Sequence, residues 1–228
     1  MPPQHLANLI LHIGAGVLGL LIGLAPLVTR KGSPTHRRWG RVFALFAGVV
    51  VATAIFSDLF SHPPAALAAV TLSAGYQLFG AERSLALRDR ARPNAYDALA
   101  AFGALALAAL ILVRGGPANA AWTPAIEYAT LGYVAALAFY DLSRHAWSPL
   151  WAREVRPLDH GLKMIGVWVA MASAGTGNLL RNAPPLNQIL PPAINMVGVA
   201  LMLAFGFAYI RRLRPTSLKF RGHEPLSP

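Results

Sequence analysis

The segment RKGSPTHRRWGR, residues 30–41, joins two long apolar runs and decides how the chain is threaded. It carries five of the protein's 20 Lys and Arg residues and no acidic residue. Short loops this basic stay on the cytoplasmic side of a bilayer, because translocating them during insertion is unfavourable. The segment therefore predicts a helical hairpin whose connection faces the cytoplasm.

The composition of the 228-residue chain is typical of a membrane protein. It is 55% hydrophobic and 13% charged, whereas a soluble domain has about 25% charged residues. The formal net charge of +11 falls in separate clusters between apolar runs, which argues against a nucleic-acid-binding surface. The absence of cysteine excludes disulfides, thiolate-held iron–sulfur clusters, c-type haem attachment and Cys-based zinc sites. The first apolar run is too long, and too poor in preceding cations, for a cleavable signal.

Seven apolar segments are long enough to cross a bilayer as helices. They cover residues 6–28, 42–60, 65–81, 96–113, 122–141, 161–180 and 193–210. With the N-terminus outside, the inner connections and the tail hold 18 Lys and Arg residues against two outside. We expect an all-α, seven-span bundle over residues 1–212 in the bacterial inner membrane. A basic cytoplasmic tail, residues 213–228, follows it.

Two connections have features of their own. The inner connection 143–163 contains Pro149 and Pro157, so we expect no long helix there but a short interfacial segment. Its Trp147 and Trp151 would lie at headgroup depth. The prolines at 184–185 and 191–192 bracket the turn into the last span. Cations from position 211 onwards predict contact with anionic lipid headgroups.

Polar residues of the predicted spans collect at two depths. Towards the outer side lie His12, Asp58, His62, Glu127, Asn178 and Asn195; towards the inner side lie His36, Gln77, Asp97, Asp141, His145 and His160. Ionisable groups within spans are costly and therefore face the bundle interior, where they commonly carry function. Many of these residues also lie near span ends, where polar side chains need no functional explanation.

The first functional hypothesis is haem b ligation, because histidines on different helices at one depth can supply both axial nitrogens. His12 with His62 is the outer pair, and His36 or His145 with His160 is the inner pair. Two haems would make the protein a membrane cytochrome b-like oxidoreductase that passes electrons to or from quinone.

Two further hypotheses remain open. A zinc or iron site would use His12, Asp58, His62 and Glu127, and a proton- or ion-coupled pathway would use Asp58, Glu127 and Asp141. A non-enzymatic role, as a small-solute transporter or as an assembly or scaffold subunit of a membrane complex, fits the same sequence. No hydrolase or transferase motif is present.

Several motifs together resemble a family of uncharacterised bacterial multi-span membrane proteins. They are Leu11-His12, Lys31-Gly32, His36-Arg37-x-x-Gly40-Arg41, Asp141, Arg156, His160 and Met164. The resemblance covers most of the chain and implies its location and fold, but no reaction. The histidines on separate spans are also similar in arrangement to those of di-haem cytochromes b, which implies haem binding.

Overall fold

A computed structural model of the protein describes residues 3–61, 63–87, 92–116 and 122–213, and all secondary structure in this part of the chain is helical. Seven α-helices follow one another, and a π-helical turn, Trp151–Val155, joins the fifth to the sixth. The helices are α1 Pro3–Val28, α2 Pro34–Phe60, α3 Ala65–Ala86, α4 Ala95–Arg114, α5 Pro124–Leu150, α6 Arg156–Leu179 and α7 Leu186–Leu213. The all-α prediction is confirmed.

The basic segment that joins α1 to α2 is shorter than the sequence predicts, because α2 begins at Pro34. Ser33 caps this helix: its hydroxyl oxygen accepts a hydrogen bond from the backbone N–H of His36 at 3.1 Å. Pro34 follows at the first helical position, where its missing N–H costs nothing. Gly32, with φ of 78°, turns the chain just before the cap. The His-Arg-x-x-Gly-Arg motif therefore lies on the first turns of a helix.

The connection between α5 and α6 contains no long regular helix, as predicted, but it is packed into the bundle through Trp151 and Ala152. Helix α5 runs to Leu150 and bends at Trp147, which has non-helical φ and ψ of −126° and 26°. Pro149 lies just beyond this bend and cannot donate a backbone hydrogen bond. Trp151, predicted at headgroup depth, is fully buried, and its indole Nε1 donates to the hydroxyl of Tyr140 at 3.1 Å. The chain thus bends next to Pro149, while tertiary packing buries Trp151.

The start of α7 also differs from the prediction. This helix begins at Leu186, so Pro191 and Pro192 lie inside it and do not bracket the preceding turn.

Helices α3 and α6 form the centre of the bundle. They pack against each other; α3 also contacts α2, α4 and α5, and α6 also contacts α1 and α7. In the described part of the chain, four helices are long and apolar enough to cross a membrane: α1, α2, α4 and, within α7, Leu186–Arg211. Most of their residues are exposed on the protein surface. The more polar helices α5 and α6 carry most of the buried charged residues, and α4 carries one, Asp97.

Charged residues gather where α1 ends and α2, α4 and α6 begin, which we call the basic end of the bundle. Arg83 of α3 donates from Nε and Nη2 to the two oxygens of Asp97 on α4, at 3.0 and 3.2 Å. Asp97 also accepts from the backbone N–H of Asn94 in a capping box that starts α4. These bonds fix the connection between α3 and α4 at this end.

Candidate cofactor cavity and buried charge cluster

A cavity of about 640 Å³ opens at the basic end, between α1, α2, α3, α6 and α7. We call it the basic-end cavity. Its size is within the range of small-molecule and cofactor sites. His36 of α2 and His160 of α6 both line it. The structure therefore brings together the two histidines of the predicted inner pair.

Both imidazoles are oriented by backbone carbonyl groups. Nδ1 of His36 lies 3.1 Å from the carbonyl oxygen of Pro26, and Nδ1 of His160 lies 3.0 Å from that of Ala81. A carbonyl oxygen only accepts, so each Nδ1 carries the proton and each Nε2 keeps its lone pair. A hydrogen bond from one ring nitrogen to a carbonyl oxygen commonly orients histidine ligands of metals in this way.

The walls of this cavity combine aromatic and cationic side chains. The aromatic residues are Phe43, Trp168 and Phe205, the cations are Lys31, Arg37 and Arg41, and one carboxylate, Glu82, also lines the cavity. Nζ of Lys31 donates to the carbonyl oxygens of Pro26 and Leu27 at 2.6 and 2.7 Å, which satisfies the end of α1. Partial burial lowers the pKa of Lys31. Its aromatic residues and its excess of cations over carboxylates suit a mostly apolar ligand that carries negative groups.

A second polar feature lies deeper, between α5 and α6. Asp141 and Arg144 of α5 and Asp159 and Lys163 of α6 form what we call the charge cluster, and every member is at most 4% exposed. Nζ of Lys163 lies 2.7 Å from Oδ1 of Asp141 and 3.1 Å from Oδ1 of Asp159. Nη2 of Arg144 lies 3.1 Å from Oδ1 of Asp141. Two cations and two carboxylates balance, which is the condition for burying such groups.

Residues around the charge cluster satisfy most of its remaining hydrogen-bonding groups, except that Nη1 of Arg144 makes no hydrogen bond and lies 3.5 Å from Oδ2 of Asp159. The hydroxyls of Tyr76 and Ser84 donate to Asp141 Oδ2 at 2.7 Å and Asp159 Oδ2 at 2.5 Å. The guanidinium of Arg144 lies 4.6 Å from the ring centre of Trp151, a cation–π distance. Gly80 of α3 leaves room for Lys163, since a Cβ there would lie 3.0 Å from Nζ. The cluster therefore ties α3, α5 and α6 together.

The described residues among those predicted at the outer depth do not form one metal site. Nδ1 of His12 lies 2.8 Å from the hydroxyl of Thr53, and the carboxylate of Asp58 is within hydrogen-bonding reach of Thr71. Glu127 is buried in the first turn of α5, where the helix dipole favours a negative charge. Among the described residues, no three His, Asp or Glu side chains could share a metal ion.

The haem hypothesis includes two other histidines, His62 and His145. His62, the partner predicted for His12, lies outside the described residues, so the outer pair and its metal alternative stay predictions. His145 is exposed on α5 and is not part of the basic-end cavity. Of the two candidate partners for His160, the structure places only His36 in that cavity.

Most of the charge cluster was not predicted from the sequence. Arg144 and Lys163 are counted there as cytoplasmic topology signals, and Asp159 is given no role. The available signal was spacing: Asp141 precedes Arg144 by three residues and Asp159 precedes Lys163 by four, so each pair shares a helix face. Without these two buried cations, 16 Lys and Arg residues remain on the predicted inner side against two outside. The charge asymmetry survives the correction.

Comparisons with family models, curated proteins and solved structures find no match. The resemblances inferred from the sequence stay predictions.

Proposed function

We propose that this protein is an electron-transfer protein of the bacterial inner membrane that binds haem b in the basic-end cavity. His36 and His160 would provide the axial nitrogens. The negatively charged propionates would face Arg37 and Arg41, and Phe43 and Trp168 would pack against the apolar macrocycle.

One observation carries the proposal. Two imidazoles on different helices line one cavity, and each uses Nδ1 for a backbone carbonyl and keeps Nε2 as an electron-pair donor. A neutral imidazole with an oriented ring is what haem iron requires of a protein ligand. Capping of α1 explains the bond from His36 to Pro26, but it does not explain why His160 is oriented in the same way in the same cavity.

We also propose that all seven helices cross the membrane, with the N-terminus outside and the basic end in the cytoplasm. Helices α3, α5 and α6 have 22, 27 and 24 residues. At about 1.5 Å per residue, each exceeds the roughly 30 Å of a bilayer core. Their polar groups are buried among neighbours, as intramembrane polar groups should be. The four apolar helices around them would face lipid.

The test is a visible absorption spectrum of protein expressed with ample haem and purified in detergent. We expect a Soret band that shifts on reduction with dithionite and is lost in His36→Ala and in His160→Ala. His145→Ala is the matched control, because it removes an exposed histidine outside the cavity. A wild-type protein that folds but has no Soret band would overturn the proposal. A second haem between His12 and His62 would give a haem-to-protein ratio of two, and His12→Ala would reduce it to one.

The charge cluster favours a second candidate, a proton- or ion-coupled transporter. Buried carboxylates paired with cations are characteristic of proton relays in membrane transporters. In this case the spectrum would show no haem, and solute uptake into proteoliposomes would depend on the pH gradient and be lost in Asp159→Asn. The haem spectrum thus discriminates between the two candidates.

A further inference from the structure

A second cavity, of about 540 Å³, lies between α3, α5, α6 and α7, and we call it the outer cavity. Among the described residues, no Asp, Glu, Lys, Arg or His lines it. Its wall is mostly apolar and includes six neutral polar side chains, Ser73, Gln77, Thr130, Tyr133, Ser173 and Asn195. A ligand that fits these walls is uncharged, largely apolar and able to form a few hydrogen bonds.

The outer cavity opens sideways through the surface of the bundle. The packed pair α3 and α6 forms its back, while α5 and α7 flank it and make no extended contact with each other in the described part of the chain. Val199 and Pro192 of α7 line it and are nevertheless exposed, as expected at a lateral gap. The exposed surface of α7 is apolar and would face lipid. The ligand would therefore enter from the bilayer.

Hydrogen-bonding groups occupy two levels of this cavity. At the deeper level, the hydroxyl of Tyr133 donates to Oε1 of Gln77 at 3.0 Å. At the upper level, Nδ2 of Asn195 donates to the hydroxyl of Ser173 at 3.3 Å. A primary amide has two N–H hydrogens, so Asn195 has a second one to offer a ligand. The upper level thus presents a free donor. At the deeper level the amide of Gln77 already donates to Ser73, so the hydroxyl of Tyr133 would turn from Gln77 to the ligand.

Helix geometry gives the separation of the two levels. The backbone of Gly166 contacts the side chain of Gln77, since a Cβ at Gly166 would collide with the amide. Ser173 is two turns further along α6, roughly 10 Å at about 1.5 Å per residue. Val169 and Ala170 line the wall between these levels. A ring with carbonyl oxygens on opposite edges spans this interval when a hydrogen bond is added at each end.

We propose that the outer cavity binds the head group of a membrane quinone, with one carbonyl oxygen towards Gln77 and Tyr133 and the other towards Ser173 and Asn195. The choice of a redox-active ligand rests on the proposed haem function; the binding itself does not. Tyr133 lies within electrostatic reach of Asp159, so the deeper carbonyl would be close to the charge cluster.

The test is photolabelling of the full-length protein in lipid nanodiscs with an azido-benzoquinone that carries a short alkyl tail. We expect labelled peptides from α5 and α7, and competition by excess unlabelled quinone but not by an alkane of the same tail length. Ala170→Phe fills the cavity and should abolish the labelling. Ala200→Phe is the matched control, because it adds the same ring to an exposed position of α7 that does not line the cavity.

A further variant keeps the test decisive if Ala170→Phe does not fold. Asn195→Leu removes one donor at the exposed side and should weaken competition by unlabelled quinone about three- to tenfold, the range for one lost hydrogen bond. Equal competition by the alkane, or labelling unchanged in Ala170→Phe, would overturn the quinone site. His36→Ala should keep the labelling; its loss in the folded variant would likewise overturn the site. Labelling without a Soret band in the wild type would overturn only the haem proposal.

Discussion

The ammonium nitrogen of Lys163 on α6 lies 2.7 Å from Oδ1 of Asp141 on α5, and these side chains are only 2% and 3% exposed. Neither charge is stable alone in such surroundings, because removing an ion from water costs several kcal/mol. Asp159 and Arg144 add one charge of each sign, so the local net charge stays zero. The contact therefore joins two helices in a way that does not tolerate the loss of one partner.

Lys163→Met should lower the free energy of unfolding by about 3–5 kcal/mol, because it leaves two buried carboxylates facing one guanidinium. The measurement is thermal unfolding of the purified protein in detergent. Lys219→Met, in the tail outside the described residues, is the control and should unfold like the wild type. If the two variants have the same melting temperature, the cluster does not stabilise the bundle.

The double variant Asp141→Asn/Lys163→Met should be more stable than Lys163→Met alone. It removes one positive and one negative charge together, so the remaining pair, Arg144 and Asp159, is balanced again. Residues in one ion-pair network typically show coupling energies of about 0.5–3 kcal/mol. A double-mutant cycle on melting in detergent measures this term, and strictly additive effects would contradict a coupled cluster.

Much of this architecture could be predicted from the sequence. The length of the apolar segments predicted the helices, and the cations of residues 30–41 predicted the basic end of the bundle. The convergence of His36 and His160 could also be predicted, because both lie near helix ends at one depth. The position of His36 on a helix rather than in a loop was missed, because the helix N-cap at Ser33 was not recognised.

The charge cluster could not be predicted by the same approach. Positive-inside counting treats every cation as solvated, whereas Lys163 and Arg144 are buried among carboxylates. The burial of Trp151 was missed for a related reason: the prolines nearby correctly indicated a break in the helix, but they gave no sign that Trp151 packs against Tyr140 and Arg144. Long-range partners determined these outcomes, and local patterns do not encode them.

Trp151→Leu should destabilise the protein by about 3 kcal/mol or more, because it removes a fully buried ring. It also removes the cation–π contact with Arg144 and the hydrogen bond to Tyr140. Trp39→Leu, at a tryptophan that is 39% exposed, is the matched control and should cost much less. Melting temperatures in detergent compare the two variants. A larger loss at Trp39 would show that Trp151 does not support the cluster.

Gly166→Ala should lower stability by about 1–3 kcal/mol, because the added methyl group displaces the amide of Gln77. The same change should weaken quinone binding in the outer cavity, where Gln77 forms the deeper level. Gly48→Ala is the control: a Cβ there meets nothing within 4 Å, and a helical alanine is more stable than glycine by up to about 1 kcal/mol. Opposite signs for the two variants are expected; equal losses would contradict the close contact at Gly166.

Single-cysteine labelling tests whether the polar helices α5 and α6 cross the membrane, and the absence of native cysteine makes the chain suited to it. Glu154→Cys places a thiol in the turn between these helices, and Ala183→Cys places one in the connection from α6 to α7. In intact cells, a membrane-impermeant maleimide should label position 183 but not position 154, because only the former would face outwards. After permeabilisation both should react, which confirms that position 154 is accessible. Thr35→Cys, in the first turn of α2, should behave like position 154. If position 154 reacts in intact cells while position 35 does not, α5 and α6 do not cross as proposed, and the charge cluster would then not lie within the membrane.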